Sequence, residues 1–170
     1  MKFKSSQSVK TLAAIASVSI GLGAGSAQFA RADGDGEPAA VAEQFEAGEP
    51  ADPKQPFRVV EVTMTEADGG MAFAPAEVNV KMNEQIKFII KNGGALDHEF
   101  KLDSVEQIAK HKIEMEKNPE MEHDGPNGIR LQPSKSGEIF WKFSKAGYFE
   151  FACLIPGHYQ GGMHGNVVVK

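Results

Sequence analysis

The sequence predicts an all-β sandwich, and three observations support that prediction. Short runs of alternating apolar and polar residues recur at near-even spacing from residue 60 onward, as they do in sandwiches and barrels. Turn-forming pairs such as Asn92-Gly93 and Pro156-Gly157 separate these runs. With 41% hydrophobic residues and eleven Phe in 170 residues, the chain can build the core of one modest domain.

The expected strands and one helix follow in order along the chain. Apolar residues alternate in residues 60–64, 78–80, 86–90, 100–102, 139–143, 148–152 and 167–169. One helix interrupts the strands, because Ser104 is a favourable N-cap with Gln107 three positions later. Helical spacing then continues through Ile108 and Met115 until Asn118-Pro119 ends the segment.

The N-terminus has the composition of a secretory signal peptide. Lys2, Lys4 and Lys10 precede a run of apolar and small residues, and Ala30-Arg31-Ala32 offers an A-x-A cleavage site. We therefore expect residues 1–32 to be a signal peptide, and the mature protein to be periplasmic with no membrane span. An uncleaved membrane anchor is the competing interpretation, but the run has few large aliphatic residues and a span needs about 20 strongly apolar ones.

Residues 33–56 predict an acidic, flexible leader. This segment has seven acidic residues against one basic residue, Lys54, with four prolines and no sustained apolar period. An acidic arm that docks on a basic partner is the functional alternative. The folded domain is then expected to span residues 57–170.

Charge and cysteine content exclude several classes of function. The chain has a formal net charge of −5 at pH 7 and no basic stripe, which argues against nucleic acid as a partner. Cys153 is the only cysteine. An intramolecular disulfide, a four-cysteine zinc site and a thiolate-ligated iron–sulfur cluster are therefore excluded.

The C-terminal loop concentrates residues that can bind a metal ion. Cys153, His158 and Met163 follow at intervals of five residues, so an extended loop would separate neighbours by about 17 Å. The loop must fold back twice to bring them to one ion, and Pro156-Gly157 and Gly161-Gly162 supply the two reversals. Thiolate, imidazole and thioether together favour copper over hard cations. Zinc would accept the first two donors and gain little from the thioether.

A second imidazole must come from elsewhere in the chain. His98 is the best candidate of the five histidines, because it follows the strand expected at 86–92 and the Asn92-Gly93-Gly94 turn. A connection at this point can emerge at the same end of the sandwich as the Cys153 loop. Cys153, His98 and His158 with a long axial contact to Met163 would form the trigonal blue-copper arrangement.

These motifs resemble the cupredoxins over essentially all of residues 57–170. The resemblance rests on the segment Phe73-Ala74-Pro75-Ala76-Glu77-Val78, on the turn from Asn92 to His98, and on Cys153-x4-His158-x4-Met163 followed by Gly165. It implies a cupredoxin-like Greek-key β-sandwich with one helical insert. It also implies one type 1 copper site (Cu2+/Cu+), with the ligands His98, Cys153, His158 and Met163.

The same resemblance implies electron transfer through the ligand that matches His158. In the family this ligand lies near the surface inside an apolar patch, where a redox partner docks. Residues Leu154, Ile155, Pro156 and Tyr159 could form part of that patch here, or they pack within the loop.

Glu99 departs from the family's pattern. In many cupredoxins the first His ligand is followed by Asn or Ser, which hydrogen-bonds near the Cys sulfur. Because hydrogen bonds to sulfur tune the potential, the resemblance fixes neither the potential nor a blue or green colour. Asp97 and Glu99 also place negative charge on both sides of His98, which should favour Cu(II) over Cu(I).

The insert at residues 104–126 contains a second group of copper-binding side chains. His111 and Met115 are spaced i,i+4 on one helix face, and Met121 and His123 follow. These four could hold a further copper ion, or Met115 packs on the core while the histidines are solvated. His164 is a weaker candidate, because its neighbour Met163 already points at the first site. The insert and the ending Met163-His164-Gly165 together resemble periplasmic cupredoxins associated with copper tolerance.

Two functions remain after this inventory. The first is a periplasmic type 1 copper protein that undergoes one-electron exchange and serves copper tolerance. The second is a dedicated electron carrier between redox partners in a respiratory or related chain. An enzyme is not expected, since four protein ligands leave no open position for substrate. The chain also has no HxH or HCH motif, which a multicopper oxidase would need.

Overall fold

The computed structural model describes residues 45–67, 69–121 and 125–170. The predicted signal peptide, residues 1–32, and the predicted leader up to residue 44 lie outside the described residues. The elements are β1 Glu49–Pro50, β2 Arg58–Ala67, β3 Gly70–Ala74, β4 Glu77–Val80, β5 Gln85–Asn92, β6 His98–Ser104, α1 Val105–Lys117, β7 Gly128–Leu131, β8 Ser136–Lys142, β9 Gly147–Ala152 and β10 His164–Val169. The expected all-β fold with one helix is confirmed.

The strands form two five-stranded sheets. Their orders are β1-β8-β5-β2-β3 and β4-β10-β9-β6-β7. β2 pairs in parallel with β5, and β4 with β10, while the other pairs are antiparallel. The chain passes from the first sheet to the second between β5 and β6, so His98 begins β6 beside β9, the strand that leads to Cys153.

Alternating side chains from both sheets fill the core. In β5 every second residue is buried, as the period of a half-buried strand requires. Phe100 stacks on Phe151 with ring centroids 5.2 Å apart, and Phe73 meets Phe151 edge-on at 5.1 Å. These rings join strands β3, β6 and β9 in one apolar core, which also contains Cys153 and Met163.

The helix begins and ends where the sequence predicts. The Ser104 hydroxyl accepts a hydrogen bond from the Gln107 backbone N–H at 3.2 Å, and Asn118 follows the last turn. Ile108 and Met115 are the buried residues of α1, and they pack with Ala152 and a neighbouring leucine. Within the described part of the chain, no helix is both long and apolar enough to cross a membrane.

Besides β1, two strands, β3 and β7, lack the alternating pattern by which a strand is recognised in the sequence. β3 has one fully inward side chain, Phe73, among Gly, Met and Ala, so it lacks the alternation that marks the other strands. β7 has four residues and buries only Leu131. Both are held by pairing with longer neighbours, β2 and β6, and not by a pattern of their own.

The folded domain starts before residue 57, the predicted boundary. β1 pairs with β8, where Glu49 is opposite Lys142 and Pro50 opposite Trp141. The indole N–H of Trp141 donates to the Ala47 carbonyl at 3.1 Å, and the Phe45 ring meets the indole edge-on at 5.2 Å. Residues 45–50 thus pack on the sandwich, although two paired residues are too short a run to be recognised in an acidic segment.

Candidate metal centre

Three metal-binding side chains converge at one end of the second sheet. The donor atoms of His98, Cys153 and His158 all lie within 4.8 Å of one another. His158 Nδ1 is 3.2 Å from His98 Nδ1 and 3.3 Å from Cys153 Sγ. His98 and Cys153 are fully buried, and His158 is 9% exposed. The grouping is the one that the sequence predicts for these three residues.

Backbone hydrogen bonds fold the loop between Cys153 and Met163 back on itself. The His158 N–H donates to Ile155 O at 3.0 Å, the Met163 N–H to His158 O at 3.1 Å, and the Cys153 N–H to Met163 O at 3.1 Å. Gly157 and Gly162 have φ angles of +90° and +101°, which side-chain-bearing residues rarely adopt. The two reversals expected at Pro156-Gly157 and Gly161-Gly162 are present.

Met163 closes this loop. It is fully buried and belongs to the same apolar cluster as Cys153. The hydrogen bond from the Cys153 N–H holds its backbone beside the thiol. Its role as an axial thioether ligand stays a prediction.

Asn92 builds the turn that delivers His98. Its side-chain amide is 2% exposed and donates to the carbonyls of Leu96 and Leu131, both at 2.8 Å. Its Oδ1 accepts the Gly94 N–H at 2.9 Å. One buried side chain therefore ties the turn to β7 and fixes where β6 begins.

Glu99 bonds to the thiol through its backbone and not through its carboxyl group. Its N–H donates to Cys153 Sγ at 3.3 Å, while Oε2 accepts the Leu154 N–H at 3.2 Å. Glu99 is 4% exposed, and burial raises the pKa of its carboxyl group. A main-chain group therefore supplies the hydrogen bond to sulfur, so this bond does not need the Asn or Ser that many cupredoxins have at the position of Glu99.

The pKa values of two groups at the site, Cys153 and His158, are shifted toward their neutral forms. Burial raises the pKa of the Cys153 thiol to about 12, and burial, followed by the nearby His98, lowers the pKa of His158. The thiol is thus protonated and His158 uncharged at neutral pH. A metal that binds the thiolate must displace that proton, as thiolate ligation generally requires.

Glu66 is a site residue that the sequence analysis missed. Its Oε1 lies 2.5 Å from His98 Nε2. Its carboxyl pKa is lowered, first by the hydrogen bond from the Ala95 N–H. One signal was available, because Glu66 continues the inward-facing positions of Val62 and Met64 at the end of β2, where an acidic residue is unexpected.

The structure brings together part of the proposed second group. Met115 is 1% exposed in the small cluster under α1, and Met121 packs against that cluster. Both methionines line a cavity of about 750 Å³, together with the carboxylates of Asp97, Glu99 and Glu120. His111 is half-buried in α1, while His123 lies outside the described residues, so the four-residue site stays untested.

His164 contacts Tyr159 and Glu150 and not the candidate ligands of the first site. Its ring stacks on Tyr159 with centroids 4.8 Å apart, and its Nδ1 is 3.6 Å from the carboxylate of Glu150. Glu150 also accepts a hydrogen bond from the Tyr159 hydroxyl at 2.8 Å.

The expected apolar patch around His158 is smaller than the sequence suggests. Leu154 is 1% exposed and packs inward under α1, so it is unable to contribute surface. Pro156 is exposed, and Ile155 and Tyr159 are half-buried. Of the four expected residues, these three are the ones with accessible surface.

Comparison with known proteins agrees with this fold and with copper as the metal. Residues 60–170 match the family model described as copper binding proteins, plastocyanin/azurin family. The copper-resistant cuproprotein CopI of Rubrivivax gelatinosus is 44% identical over 123 residues, which cover 72% of this chain and 73% of that protein. The protein of the same name from Pseudomonas aeruginosa is 36% identical over 152 residues, covering 72% and 82%.

Solved structures show the same architecture. An auracyanin B structure matches with a TM-score of 0.58 at 23% identity, over 73% of this chain and 96% of that one. A reduced auracyanin from Roseiflexus castenholzii matches with a TM-score of 0.55 at 24% identity, over 66% and 96%. At such identities the likeness to solved structures supports the fold alone. The family assignment rests on the family model and on the two CopI relatives. The chain belongs to the plastocyanin/azurin family of copper-binding proteins.

Proposed function

We propose that this chain is a periplasmic type 1 copper protein that serves copper tolerance by binding copper and exchanging single electrons. The convergence of His98, Cys153 and His158 carries the proposal. The copper-resistance names of the relatives that are 44% and 36% identical favour tolerance over a general carrier role. Residues 1–32 support export, by their signal-peptide composition.

The donor set fits copper. A thiolate and two imidazoles suit copper, and a buried thioether as a weak fourth donor is typical of blue-copper sites. We assign the ligands as His98, Cys153 and His158, with Met163 in the axial position. When bound, copper supplies a one-electron Cu(II)/Cu(I) couple. The chain's own part is to hold these donors in place through the hydrogen-bonded loop and the Asn92 turn.

Burial of the donors supports an electron-transfer role without substrate chemistry. His98, Cys153 and Met163 are fully buried, so only the His158 edge approaches solvent. We infer that electrons enter and leave at this edge, with a redox partner docking over Pro156, Ile155 and Tyr159. A site with four protein ligands offers no position for a substrate, and the protein is therefore proposed not to be an enzyme.

Absorption spectroscopy with metal analysis tests the proposal. The full chain loaded with Cu(II) should show intense visible absorption, with one copper ion held strongly at the type 1 site. Cys153→Ser should lose that absorption. Met82→Leu is a suitable control, because Met82 is 52% exposed and lies between β4 and β5. A colourless wild-type protein with bound copper would contradict the type 1 assignment.

Gene deletion distinguishes tolerance from a dedicated carrier. A tolerance role predicts that deletion sensitises cells to copper while respiration continues normally. The alternative, an electron carrier in a respiratory or related chain, predicts a respiratory defect at ordinary copper levels. Cell fractionation tests the periplasmic location in the same strains.

A second copper ion is proposed for the insert. Met115 and Met121 line one cavity with three carboxylates, and His111 and His123 flank these methionines in sequence. More than one copper per wild-type chain, falling to one in a His111→Ala/His123→Ala double variant, would support this site. A ratio of one in both proteins would exclude it.

A further inference from the structure

Glu66 places an acidic side chain where the strand pattern calls for an apolar one. Val62 and Met64 on the same side of β2 are fully buried, whereas the Glu66 side chain is 25% exposed. Its carboxylate points to His98, from the opposite sheet, with Oε1 2.5 Å from Nε2. Partial burial of an acidic group is costly unless the group is well hydrogen-bonded, so the partners of Glu66 indicate what it does.

The turn before His98 anchors this carboxylate. The Ala95 N–H donates to Oε2 at 2.7 Å, and the Leu96 N–H donates to Oε1 at 3.1 Å. Gly94 provides the space, because a Cβ at that position would overlap both carboxylate oxygens. The segment that carries His98 therefore also fixes the group that contacts its ring.

The contact decides which nitrogen of His98 carries a proton. A carboxylate only accepts hydrogen bonds, so the His98 Nε2–H must be the donor to Glu66. In the neutral ring Nδ1 is then unprotonated, and this is the nitrogen that faces His158 Nδ1 at 3.2 Å. Carboxylates bonded to the remote nitrogen of a metal-binding histidine orient the ring and increase its basicity.

We propose that Glu66 is a positioning residue for the copper centre. It holds His98 as the Nε2–H tautomer with Nδ1 directed at Cys153 and His158, and its negative charge stabilises Cu(II) relative to Cu(I). The stabilisation of Cu(II) rests on the proposed function, whereas the tautomer of His98 concerns the metal-free protein.

This assignment replaces the expectation that Asp97 and Glu99 supply the charge around His98. The Asp97 carboxylate lies 3.7 Å from the Arg130 guanidinium, an opposite charge. The Glu99 carboxyl group accepts from the Leu154 N–H at 3.2 Å. Among these three acidic residues, Glu66 is the one with a hydrogen bond to a candidate ligand ring.

Two substitutions of Glu66 distinguish the effect of its hydrogen-bond acceptor from the effect of its negative charge. Glu66→Gln retains an acceptor oxygen and removes the charge, while Glu66→Ala removes both. Glu61→Gln is the matched control, because Glu61 lies in the same strand and pairs with Lys91 at 2.6 Å. Glu61→Gln removes the same unit of negative charge, but from the ion pair with Lys91.

The first measurement uses the metal-free full chain labelled with ¹⁵N at histidine. We expect NMR to show His98 as the Nε2–H tautomer in the wild type, Glu61→Gln and Glu66→Gln, and as a tautomer mixture in Glu66→Ala.

The second measurement is the reduction potential of the copper-loaded proteins. Loss of the hydrogen-bond partner of a metal-binding side chain typically weakens metal binding about 10–100-fold. We expect Glu66→Gln to weaken Cu(II) binding relative to Cu(I) about tenfold, which raises the potential by about 59 mV.

An unchanged His98 tautomer in Glu66→Ala, together with a Glu66→Gln potential equal to that of Glu61→Gln, would overturn the proposal and leave Glu66 as an anchor of the turn. If Glu66→Ala fails to fold, Gly94→Ala serves instead, because it displaces the carboxylate and should change the tautomer likewise. Failure of the proposed function would look different: the copper-loaded wild type would lack intense absorption, while the metal-free tautomer measurement would still test Glu66.

Discussion

Raising the pH of the metal-free protein from 8 to 10 should lower its free energy of unfolding through the Cys153 thiol. Burial raises the pKa of this thiol from 9.0 to about 12. At pH 10 the thiol is therefore mostly ionised in the unfolded chain and protonated in the folded one. Because the folded state then binds more protons, stability falls as pH rises, by about 1.4 kcal/mol between pH 8 and 10. The decline should continue until the pH passes the folded pKa.

Urea denaturation at pH 8 and pH 10 measures this effect. The wild type is compared with Cys153→Ala, after metal removal by a chelator, and the difference between their pH dependences isolates the thiol. Tyr159, whose pKa is also raised to about 12, first by burial, is present in both proteins and cancels. Equal losses of stability in both proteins would refute the reasoning. In the copper-loaded wild type the loss should disappear, since the bound thiolate has no proton to release.

Three further outcomes follow from the geometry. Cys153→Ser should abolish intense visible absorption while the far-UV circular dichroism stays that of the wild type; loss of the β signal would contradict this. Gly165→Ala should lower the free energy of unfolding by about 1–3 kcal/mol, because its Cβ would overlap the buried Phe151 ring and lie 2.7 Å from Ala76 O; an unchanged urea midpoint would refute the close packing. Met163→Leu should keep the visible band and shift the potential, and redox titration showing no shift would argue against an axial thioether.

The sequence predicts those strands whose side chains alternate. β5 and β8 alternate clearly because each has one face on the core. β3 and β7 depend on pairing with neighbours that are distant in sequence, and no local pattern reveals such pairing. β1 was missed for a related reason, since its attachment depends on the Trp141 indole and on Phe45 rather than on alternation.

The site was predictable to the extent that its residues share a local motif. Cys153 and His158 lie in one loop with glycines at its reversals, and His98 follows a recognisable turn. Glu66 is 32 residues before His98 and reaches it from the other sheet, so only the three-dimensional packing reveals the contact. The main-chain hydrogen bond from Glu99 to the thiol is likewise invisible to an analysis of side chains.

Residues 45–50 have a practical consequence for any shortened version of this protein. They cover the outer side of β8, which is otherwise the last strand of its sheet. A chain cut to begin at Phe57 would leave β8 with open N–H and C=O groups and uncover the Trp141 indole. Unprotected strands of this kind recruit further chains, so such a fragment is expected to self-associate, even though every proposed copper ligand would still be present.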